Sequence, residues 1–429
     1  MRFELLHPAD QLVMMMHRIY YRGMTTTSGG NLSIRDENGD IWITPSGIDK
    51  GLLTRDDIMR ILPDGTFVGR HKPSSEHPFH RSVYERRPDI KAVLHAHSPS
   101  LVAFSIVRRL PEVNLIPNMK LVCGEVALAP YALPGSRLLG GNIAAEFDRG
   151  CNVVVLENHG VVIGAKDIFQ AFMAFETLES CALLEINALK VGRVRTLSDE
   201  QIENSDKMNF ADLPDFTPVS HSSEENAVRR DLVKLIHRSY EQNLFTSTQG
   251  TYSARLADGS FVITPFGLDR MYLDVEDLVR VREGHKEAGK KPSRSARLHE
   301  EIYARHPDVQ SVLVAHPPHM MAFLVTDAGF DARTIPESYI LLREAVRVPF
   351  GASFLDPAGT ADRLSARHPV LLCENDCVIV TGSSLLNAFD RLEVAEFTAR
   401  SILASTGLGR IVHIADQEIR DIDVAFHLA

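Results

Sequence analysis

Two histidines stand two residues apart in the segment AVLHAHSP, at His95 and His97. The segment is rich in β-forming residues, and side chains alternate between faces along a strand, so both imidazoles are predicted to project from one face. A third histidine, His159 in ENHG, follows the apolar run NVVVL at a predicted strand end, from which it can reach across the sheet. Three neutral imidazoles with positions left open for a substrate are typical of a catalytic zinc site.

A glutamate stands at a predicted helix start in the segment KPSSEHPFH. Pro73 and the two serines predict an N-cap at Ser74 or Ser75, which puts Glu76 in the first helical turn. Favourable interaction with the helix dipole is an alternative reason for a glutamate there. Beside a metal site, the same carboxylate is predicted to act as the general acid and base.

Small polar residues form a second group of motifs, SGGN from Ser28, PSG from Pro45 and SS at Ser74. Their hydroxyls and exposed backbone amides are suited to binding anions, especially at a helix N-terminus. The same residue types are also ordinary turn residues, so each motif alone has two interpretations.

These residues must be positioned by elements of mixed period. The pattern predicts helices over residues 10–22, 76–86 and 168–189, and strands at GDIWITP, 91–96, 126–129 and 153–156. Such a mixture predicts an α/β fold with a central β-sheet flanked by helices. Periodicity does not decide whether the strands are parallel.

The chain contains the same pattern twice. The segment from Ser74 aligns without gaps on the segment from Ser293, an offset of 219 residues, and ITPSGID, SGGNLS and LENHGVVI have counterparts ITPFGLD, TQGTYS and CENDCVIV in the same order. A period this long indicates a duplicated domain, since solenoid units are much shorter. A polar, acidic linker separates the copies, and the boundary is predicted near Ser220, giving domains 1–219 and 220–429.

The second copy keeps the framework and loses the chemistry. Framework residues such as Tyr303, Pro307 and Phe323 match their counterparts, and His316 occupies the position of His97. Three of the four predicted site residues are replaced, Glu76 by Ser295, His95 by Val314 and His159 by Asp376. The sequence therefore predicts one metal site per chain, in the first domain.

Composition excludes several classes of function. The chain of 429 residues carries 56 acidic and 46 basic groups, a net charge of -10, without a basic stripe for nucleic acid. No stretch is long and uncharged enough for a membrane span, and the N-terminus lacks the apolar region of a secretion signal, so a cytoplasmic protein is expected. Five scattered cysteines, none in CxxC, predict buried free thiols rather than disulfides.

The five motifs SGGNLS, ITPSGID, KPSSE, HAHSP and ENHG, in this order, resemble the class II aldolase/adducin family. The resemblance covers residues 8 to about 200, and again 226 to 406 as a degenerate copy. It implies that Zn²⁺ is held by His95, His97 and His159, and that Glu76 transfers the proton and also ligates the metal when substrate is absent. It further implies that the substrate phosphate binds at Asn31, Ser46, Gly47, Ser74 and Ser75.

The expected activity is that of a zinc-dependent lyase, which cleaves a C–C bond of a small hydroxy-carbonyl or sugar substrate, with or without phosphate, through a metal-stabilised enediolate. The same electron sink serves decarboxylation of a 3-oxo acid or 4-epimerisation of a sugar phosphate, so these alternatives stay open. Two others are an iron-dependent oxygenase and, since adducin keeps this fold without the ligands, a non-catalytic interaction module.

One departure from the family concerns a tyrosine. Sugar-phosphate aldolases of the family place one before the APY block, across a subunit boundary, whereas the segment LIPNMKLVCGEVALAPY has none until Tyr131. The second copy carries Tyr339 in this neighbourhood, so the hypothesis is that Tyr339 completes the site. The chain would then form a homodimer that reproduces the family's cyclic tetramer.

Overall fold

The computed structural model describes residues 3–207 and 213–428. The chain divides into two compact units, one formed by residues up to Val113 with Asn118–Leu183, the other by Asn114–Pro117 with the chain from Leu184 onward. Each unit carries a mixed β-sheet flanked by helices, which confirms the predicted fold class. The domain boundary near Ser220 remains a prediction, and residues 208–212 of the predicted linker lie outside the described residues.

The first sheet has eight strands in the order β4-β3-β2-β1-β5-β8-β7-β6. Its strands are β1 (Asn31–Arg35), β2 (Ile41–Ile43), β3 (Met59–Ile61), β4 (Phe67–Val68), β5 (Ala92–Ala96), β6 (Val126–Ala129), β7 (Val153–Leu156) and β8 (Gly160–Ala165). All neighbours pair antiparallel except β6 and β7, which are parallel and joined through a helix. The sheet is therefore mostly antiparallel, which periodicity alone did not decide.

Within the described ranges, six α-helices accompany this sheet, α1 (Pro8–Tyr21), α2 (His77–Arg86), α3 (Pro99–Ile106), α4 (Pro117–Cys123), α5 (Arg137–Asp148) and α6 (Ile168–Ala188). The predicted helices correspond to α1, α2 and α6, each with ends within two residues of the expected ones. Between the sheet and the pair α2 and α5 lies an apolar core that includes Phe79, Val93, Ile143 and Phe147. Burial of such side chains stabilises each by roughly 1.5–3 kcal/mol.

β5 lies at the middle of the first sheet, between β1 and β8. All five of its residues are buried, which its sequence AVLHA satisfies with one polar side chain, His95. In the register of the ladder, His95 stands opposite Asn31 on β1 and Val162 on β8. The same register therefore places the histidine of the HxH motif and the asparagine of SGGN side by side.

The second sheet repeats this plan in nine strands, ordered β15-β16-β17-β14-β10-β11-β12-β13-β9. Its strands are β9 (Asp215–Phe216), β10 (Thr251–Arg255), β11 (Phe261–Ile263), β12 (Val279–Arg282), β13 (His285–Glu287), β14 (Ser311–Ala315), β15 (Val346–Val348), β16 (Val370–Cys373) and β17 (Val378–Gly382). β10–β17 follow the order of β1–β8, and β9 adds a parallel edge strand beside β13.

The remaining helices are α7 (Asp199–Lys207), α8 (Ser223–Glu241), α9 (Ala296–Arg305), α10 (Pro318–Leu324), α11 (Pro336–Leu342), α12 (Ala352–Leu355), α13 (Pro357–Ala361), α14 (Leu385–Ser405) and α15 (Asp416–Ala425). Thus α7 supplies a short helix within the predicted linker. Among the described residues, none of the helices combines the length and the apolar character that crossing a bilayer requires. All five cysteines are free, and four of them are buried as predicted, whereas Cys151 is half-buried.

Candidate metal centre

His95 and His97 sit at the end of β5, where the strand leaves the core of the sheet. The ring of His95 is fully buried, and its Nδ1 lies 2.9 Å from the carbonyl oxygen of Val161 on β8. Because a carbonyl only accepts, Nδ1 carries the proton and Nε2 keeps a free lone pair. His97 follows the strand and brings its Nε2 within 2.9 Å of Nε2 of His95.

His159 joins this pair from the turn between β7 and β8. Its ring centroid lies 4.8 Å from that of His95 and 4.9 Å from that of His97. One ligand nitrogen from each of the three rings lies within 4.8 Å of the other two. The structure therefore brings together the three histidines that the sequence singled out.

The turn that carries His159 has a specific local cause. Asn158 adopts φ +54, a left-handed conformation that asparagine tolerates better than most residues. Gly160 follows, and a Cβ there would lie 2.5 Å from the carbonyl oxygen of Ala96 and 2.7 Å from Cδ2 of His97. Only glycine therefore lets the turn approach the end of β5 closely enough to join the three rings.

Glu76 is the N-cap of α2, and the helix begins at His77. The sequence prediction of an N-cap at Ser74 or Ser75, with Glu76 in the first turn, was therefore wrong. The reason is that Ser74 pairs its backbone N–H with Thr44 of the neighbouring loop, at 3.2 Å, so the chain is still extended there. As an N-cap residue Glu76 makes no capping hydrogen bond with its side chain, which is directed towards His95 and His159 instead.

The carboxylate of Glu76 lies among the histidines and is nearly buried. Its Oε2 is 3.3 Å from Nε2 of His95 and accepts a hydrogen bond of 2.8 Å from Nδ2 of Asn31. Its Oε1 is 3.8 Å from Nε2 of His159 and, within the described part of the chain, has no hydrogen-bond partner although it is buried. A buried carboxylate oxygen without a hydrogen bond is costly, so a further group is expected at this point.

The protonation of the histidines agrees with metal binding. Burial, and to a smaller extent the charge that His159 would carry if protonated, lower the pKa of His95 to about 3, although the hydrogen bond to the carbonyl of Val161 opposes this shift. Burial likewise lowers the pKa of His97 to about 3, assisted by His95 and His159 and opposed by Glu76. The rings are therefore neutral near pH 7 and offer lone pairs without first losing a proton. Three imidazole nitrogens and one unpaired carboxylate oxygen fit a divalent transition metal.

Of the predicted phosphate-binding residues, Asn31 begins β1, and the other four lie on two adjoining loops. An isolated bridge pairs Pro45 with Pro73, which brings the PSG and KPSS segments together. Ser46, Gly47 and Ser75 are exposed, whereas Ser74 and Asn31 are buried. The Oγ of Ser74 accepts a hydrogen bond from the backbone N–H of Glu76 at 3.3 Å, and the amide of Asn31 is engaged by Glu76.

Tyr339 lies on α11, and the structure gives its hydroxyl a partner within the same unit. The hydroxyl donates to the carboxylate of Asp423 on α15, at 3.0 and 3.2 Å to the two oxygens. The guanidinium of Arg343 lies over its ring. A role for Tyr339 in catalysis remains a prediction.

Sequence reasoning missed two buried polar residues near the site. His80 on α2 is fully buried and contacts Asn31, and Lys50 is buried with its Nζ 2.6 Å from the carbonyl oxygen of Pro45. Burial lowers the pKa of Lys50 to about 8. The available signal for His80 was its position four residues after Glu76 within the helix that the sequence predicts over residues 76–86.

The chain belongs to the class II aldolase and adducin family. The sequence model of the class II aldolase and adducin N-terminal domain matches residues 10–186 and again 230–403. This confirms the resemblance seen in the five motifs.

Individual relatives match over about one copy. A 3-oxo-tetronate 4-phosphate decarboxylase of Haemophilus influenzae is 31% identical over 199 residues, 46% of this chain and 94% of its own length. An L-fuculose phosphate aldolase of Methanococcus maripaludis is 35% identical over 176 residues, 41% of this chain and 94% of its own. A solved structure of L-fuculose 1-phosphate aldolase is 33% identical and covers 47% of this chain and 96% of its own, with a TM-score of 0.43.

Proposed function

We propose that the first copy is a zinc-dependent lyase that cleaves a C–C bond next to a ketone in a small phosphorylated substrate. The observation that carries this proposal is the convergence of three neutral imidazole nitrogens beside the unpaired Oε1 of Glu76. When bound, the metal supplies a positive charge that stabilises the enediolate left by bond cleavage. Zinc is favoured because its usual catalytic ligands include three histidines.

Glu76 is the residue proposed to move the proton. Asn31 holds Oε2 at 2.8 Å, so the carboxylate has one restrained oxygen and one oxygen free to reach substrate. After taking up a proton from solvent, Oε1 delivers it to the carbon of the enediolate, and in the reverse direction it removes that proton. The exposed hydroxyls and amides of Ser46, Gly47 and Ser75, with Ser74 and Asn31 behind them, are proposed to orient the substrate phosphate.

The substrate class follows from the chemistry of the enediolate. Retro-aldol cleavage of a ketose 1-phosphate between C3 and C4 leaves the enediolate of dihydroxyacetone phosphate. Loss of carbon dioxide from a 3-oxo-tetronate 4-phosphate leaves the same enediolate. The site is therefore proposed to act on a substrate that leaves this three-carbon ketone phosphate, whichever group departs.

A decarboxylase is the second candidate, and a specific observation favours it. The segment from Leu115 to Pro130 contains no tyrosine, although the family's sugar-phosphate aldolases place one before the APY block. Decarboxylation releases carbon dioxide and has no hydroxyl proton to remove from a departing aldehyde. One of the similar relatives is a 3-oxo-tetronate 4-phosphate decarboxylase.

The experiment that tests the metal proposal uses the duplication as its own control. His97→Ala removes one ligand, and His316→Ala removes the histidine at the same position of the second copy. We expect purified wild-type protein and His316→Ala to hold about one zinc per chain, and His97→Ala to lose most of it. Equal metal content in all three proteins would contradict the assignment of the site.

A second assay separates the two reactions. L-fuculose 1-phosphate and 3-oxo-tetronate 4-phosphate are each incubated with the zinc-loaded protein, and dihydroxyacetone phosphate is measured together with released aldehyde or carbon dioxide. A lyase must produce the ketone phosphate from at least one of the two substrates, at a rate that falls at least ~100-fold in Glu76→Gln. Zinc-loaded protein that releases it from neither would overturn the proposed substrate class.

A further inference from the structure

Behind Glu76 lies a continuous chain of buried polar side chains. Asn31 Nδ2 is 2.8 Å from Glu76 Oε2, and Asn31 Oδ1 is 2.5 Å from His80 Nε2. The other ring nitrogen of His80, Nδ1, is 2.7 Å from the Oγ of Ser33, which is also 2.7 Å from the hydroxyl of Tyr84. All five side chains are buried.

The direction of every hydrogen bond in this chain follows from its carboxylate end. An ionised carboxylate only accepts, so the amide of Asn31 must donate through Nδ2 and present Oδ1 to His80. His80 must then donate through Nε2, which leaves Nδ1 as the acceptor of a neutral ring. The hydroxyl of Ser33 therefore donates to Nδ1 and accepts from Tyr84. One fixed tautomer of His80 satisfies the whole chain.

We propose that His80 is a positioning residue for the reaction assigned to the first copy: its Nε2–H holds the amide of Asn31 in the one orientation that donates to Glu76. The reverse orientation would set Oδ1 of Asn31 against the carboxylate oxygen, which is repulsive in a buried site. With Oε2 held in this way, Oε1 stays directed at the metal centre. This role rests on the proposed function, since it assists the proton transfer by Glu76.

The second copy shows which part of this chain is specific to the site. There the Oγ of Ser253 is 2.7 Å from His299 Nδ1 and 2.7 Å from the hydroxyl of Tyr303, as in the first copy. Thr251 replaces the asparagine and bonds to Ser293, and Nε2 of His299 is buried with no hydrogen-bond partner among the described residues. The hydrogen-bonded serine, histidine and tyrosine are thus common to both copies. The hydrogen bond from the histidine Nε2 to an asparagine occurs in the copy that also has the glutamate.

The test compares three variants of the zinc-loaded chain. His80→Asn keeps a polar group near Ser33 and loses the donor to Asn31, whereas His80→Gln can place an amide N–H where Nε2–H lies. His299→Asn is the control: it makes the same substitution as His80→Asn, but in the second copy, which lacks the glutamate. The readout is uptake of deuterium from D₂O into dihydroxyacetone phosphate, which follows proton transfer without need of the departing group, measured across ketone phosphate concentrations.

The expected pattern separates positioning from folding. In His80→Asn, kcat for deuterium uptake falls roughly 10- to 100-fold with KM changed less than about threefold, because a misplaced group affects the reacting step more than binding. His80→Gln restores most of kcat, and His299→Asn leaves it unchanged although Tm falls in all three. The proposal is overturned if His80→Asn lowers Tm as His299→Asn does while kcat stays at the wild-type value.

A measurement without substrate distinguishes this proposal from the proposed function. In protein labelled with ¹⁵N-histidine, we expect His80, assigned by its loss in His80→Gln, to carry its proton on Nε2 with Nδ1 unprotonated. Wild-type protein with that tautomer but no deuterium uptake would mean that the proposed function has failed and that the hydrogen-bond chain stands. A proton on Nδ1 would overturn the positioning role directly.

Discussion

In the first copy the turn after β7 carries His159 followed by Gly160, and in the second copy the turn after β16 carries Asp376 followed by Cys377. The backbones match: the preceding asparagines, Asn158 and Asn375, adopt φ +54 and φ +50. Each donates its N–H at 3.2 Å to a carbonyl of the helix that follows the central strand, at Ser105 in α3 and at Leu324 in α10. The side chains differ completely. A shared backbone therefore carries two unrelated chemistries at the same corner of the sheet.

The second corner also gathers atoms that metals bind, and the comparison shows why it is the poorer site. Ligand atoms of Cys373, Asp376 and Cys377 lie within 4.8 Å of one another. A hydrogen bond with the thiol of Cys373, together with burial, raises the pKa of Cys377 well above its usual value. Burial also raises the pKa of Asp376. A cation must displace protons there, whereas the imidazoles of the first copy are already neutral. Proton affinity is therefore one difference that makes the second corner the poorer site.

The strongest test of this comparison rebuilds the first site in the second copy. The changes Val314→His and Asp376→His give three histidines together with His316, Cys377→Gly removes the Cβ, and Arg294→Ser removes a positive charge that acts on His316. We expect the fourfold variant to raise zinc content from about one to about two per chain, by metal analysis. The same variant with Cys377 retained should stay near one, and a folded fourfold variant that also stays near one would break the comparison.

The reciprocal change tests the role of glycine at the corner. Gly160→Cys places a Cβ where Ala96 O and His97 Cδ2 stand at 2.5 and 2.7 Å, so the turn must move away from β5. We expect zinc affinity to fall at least ~10-fold and the free energy of unfolding to fall by about 1–3 kcal/mol. Cys377→Gly is the matched control, which should leave zinc affinity unchanged. Titration with a chromophoric chelator measures the affinity, and wild-type affinity in Gly160→Cys would contradict this account.

Each copy contains a buried histidine with a lowered pKa, so acidification should destabilise both copies. His95 is neutral in the folded chain because burial lowers its pKa to about 3, whereas an unfolded histidine has a pKa near 6.5. Between these values the unfolded chain binds the extra proton, so stability is present above pH 6.5 and is lost as the pH falls towards 3.

From pH 7 to pH 5, His95 should therefore cost the metal-free chain about 2 kcal/mol of unfolding free energy. Denaturant titrations at the two pH values measure the total loss, and His95→Gln should reduce it by about the share of His95, leaving that of other buried histidines such as His97. His299, whose pKa burial also lowers to about 3, serves as the comparison, because His299→Gln should remove a similar loss from the second copy. An unchanged pH dependence in His95→Gln would show that its ring is protonated in the folded state.

Much of this organisation could be read from the sequence. The repeat, the α/β class and the three histidines follow from spacing and periodicity, because ligand pairs on strands and helical periods are local properties. The helix start at Glu76 was misplaced because a contact between Ser74 and Thr44, thirty positions apart in sequence, decides it. His80 was missed for the same reason: its partners Asn31 and Ser33 lie on β1, and only the packing of α2 against that strand brings them together.

The pairing of Asn31 opposite His95 ties the site to the assembly of the sheet. A slip of one residue between β1 and β5 would turn one of these side chains to the other face. Since β1, β5 and β8 are far apart in sequence, their pairing depends on non-local contacts, which form slowly. The rate at which a refolding chain takes up metal would consequently report how fast the central strands β1, β5 and β8 acquire their register.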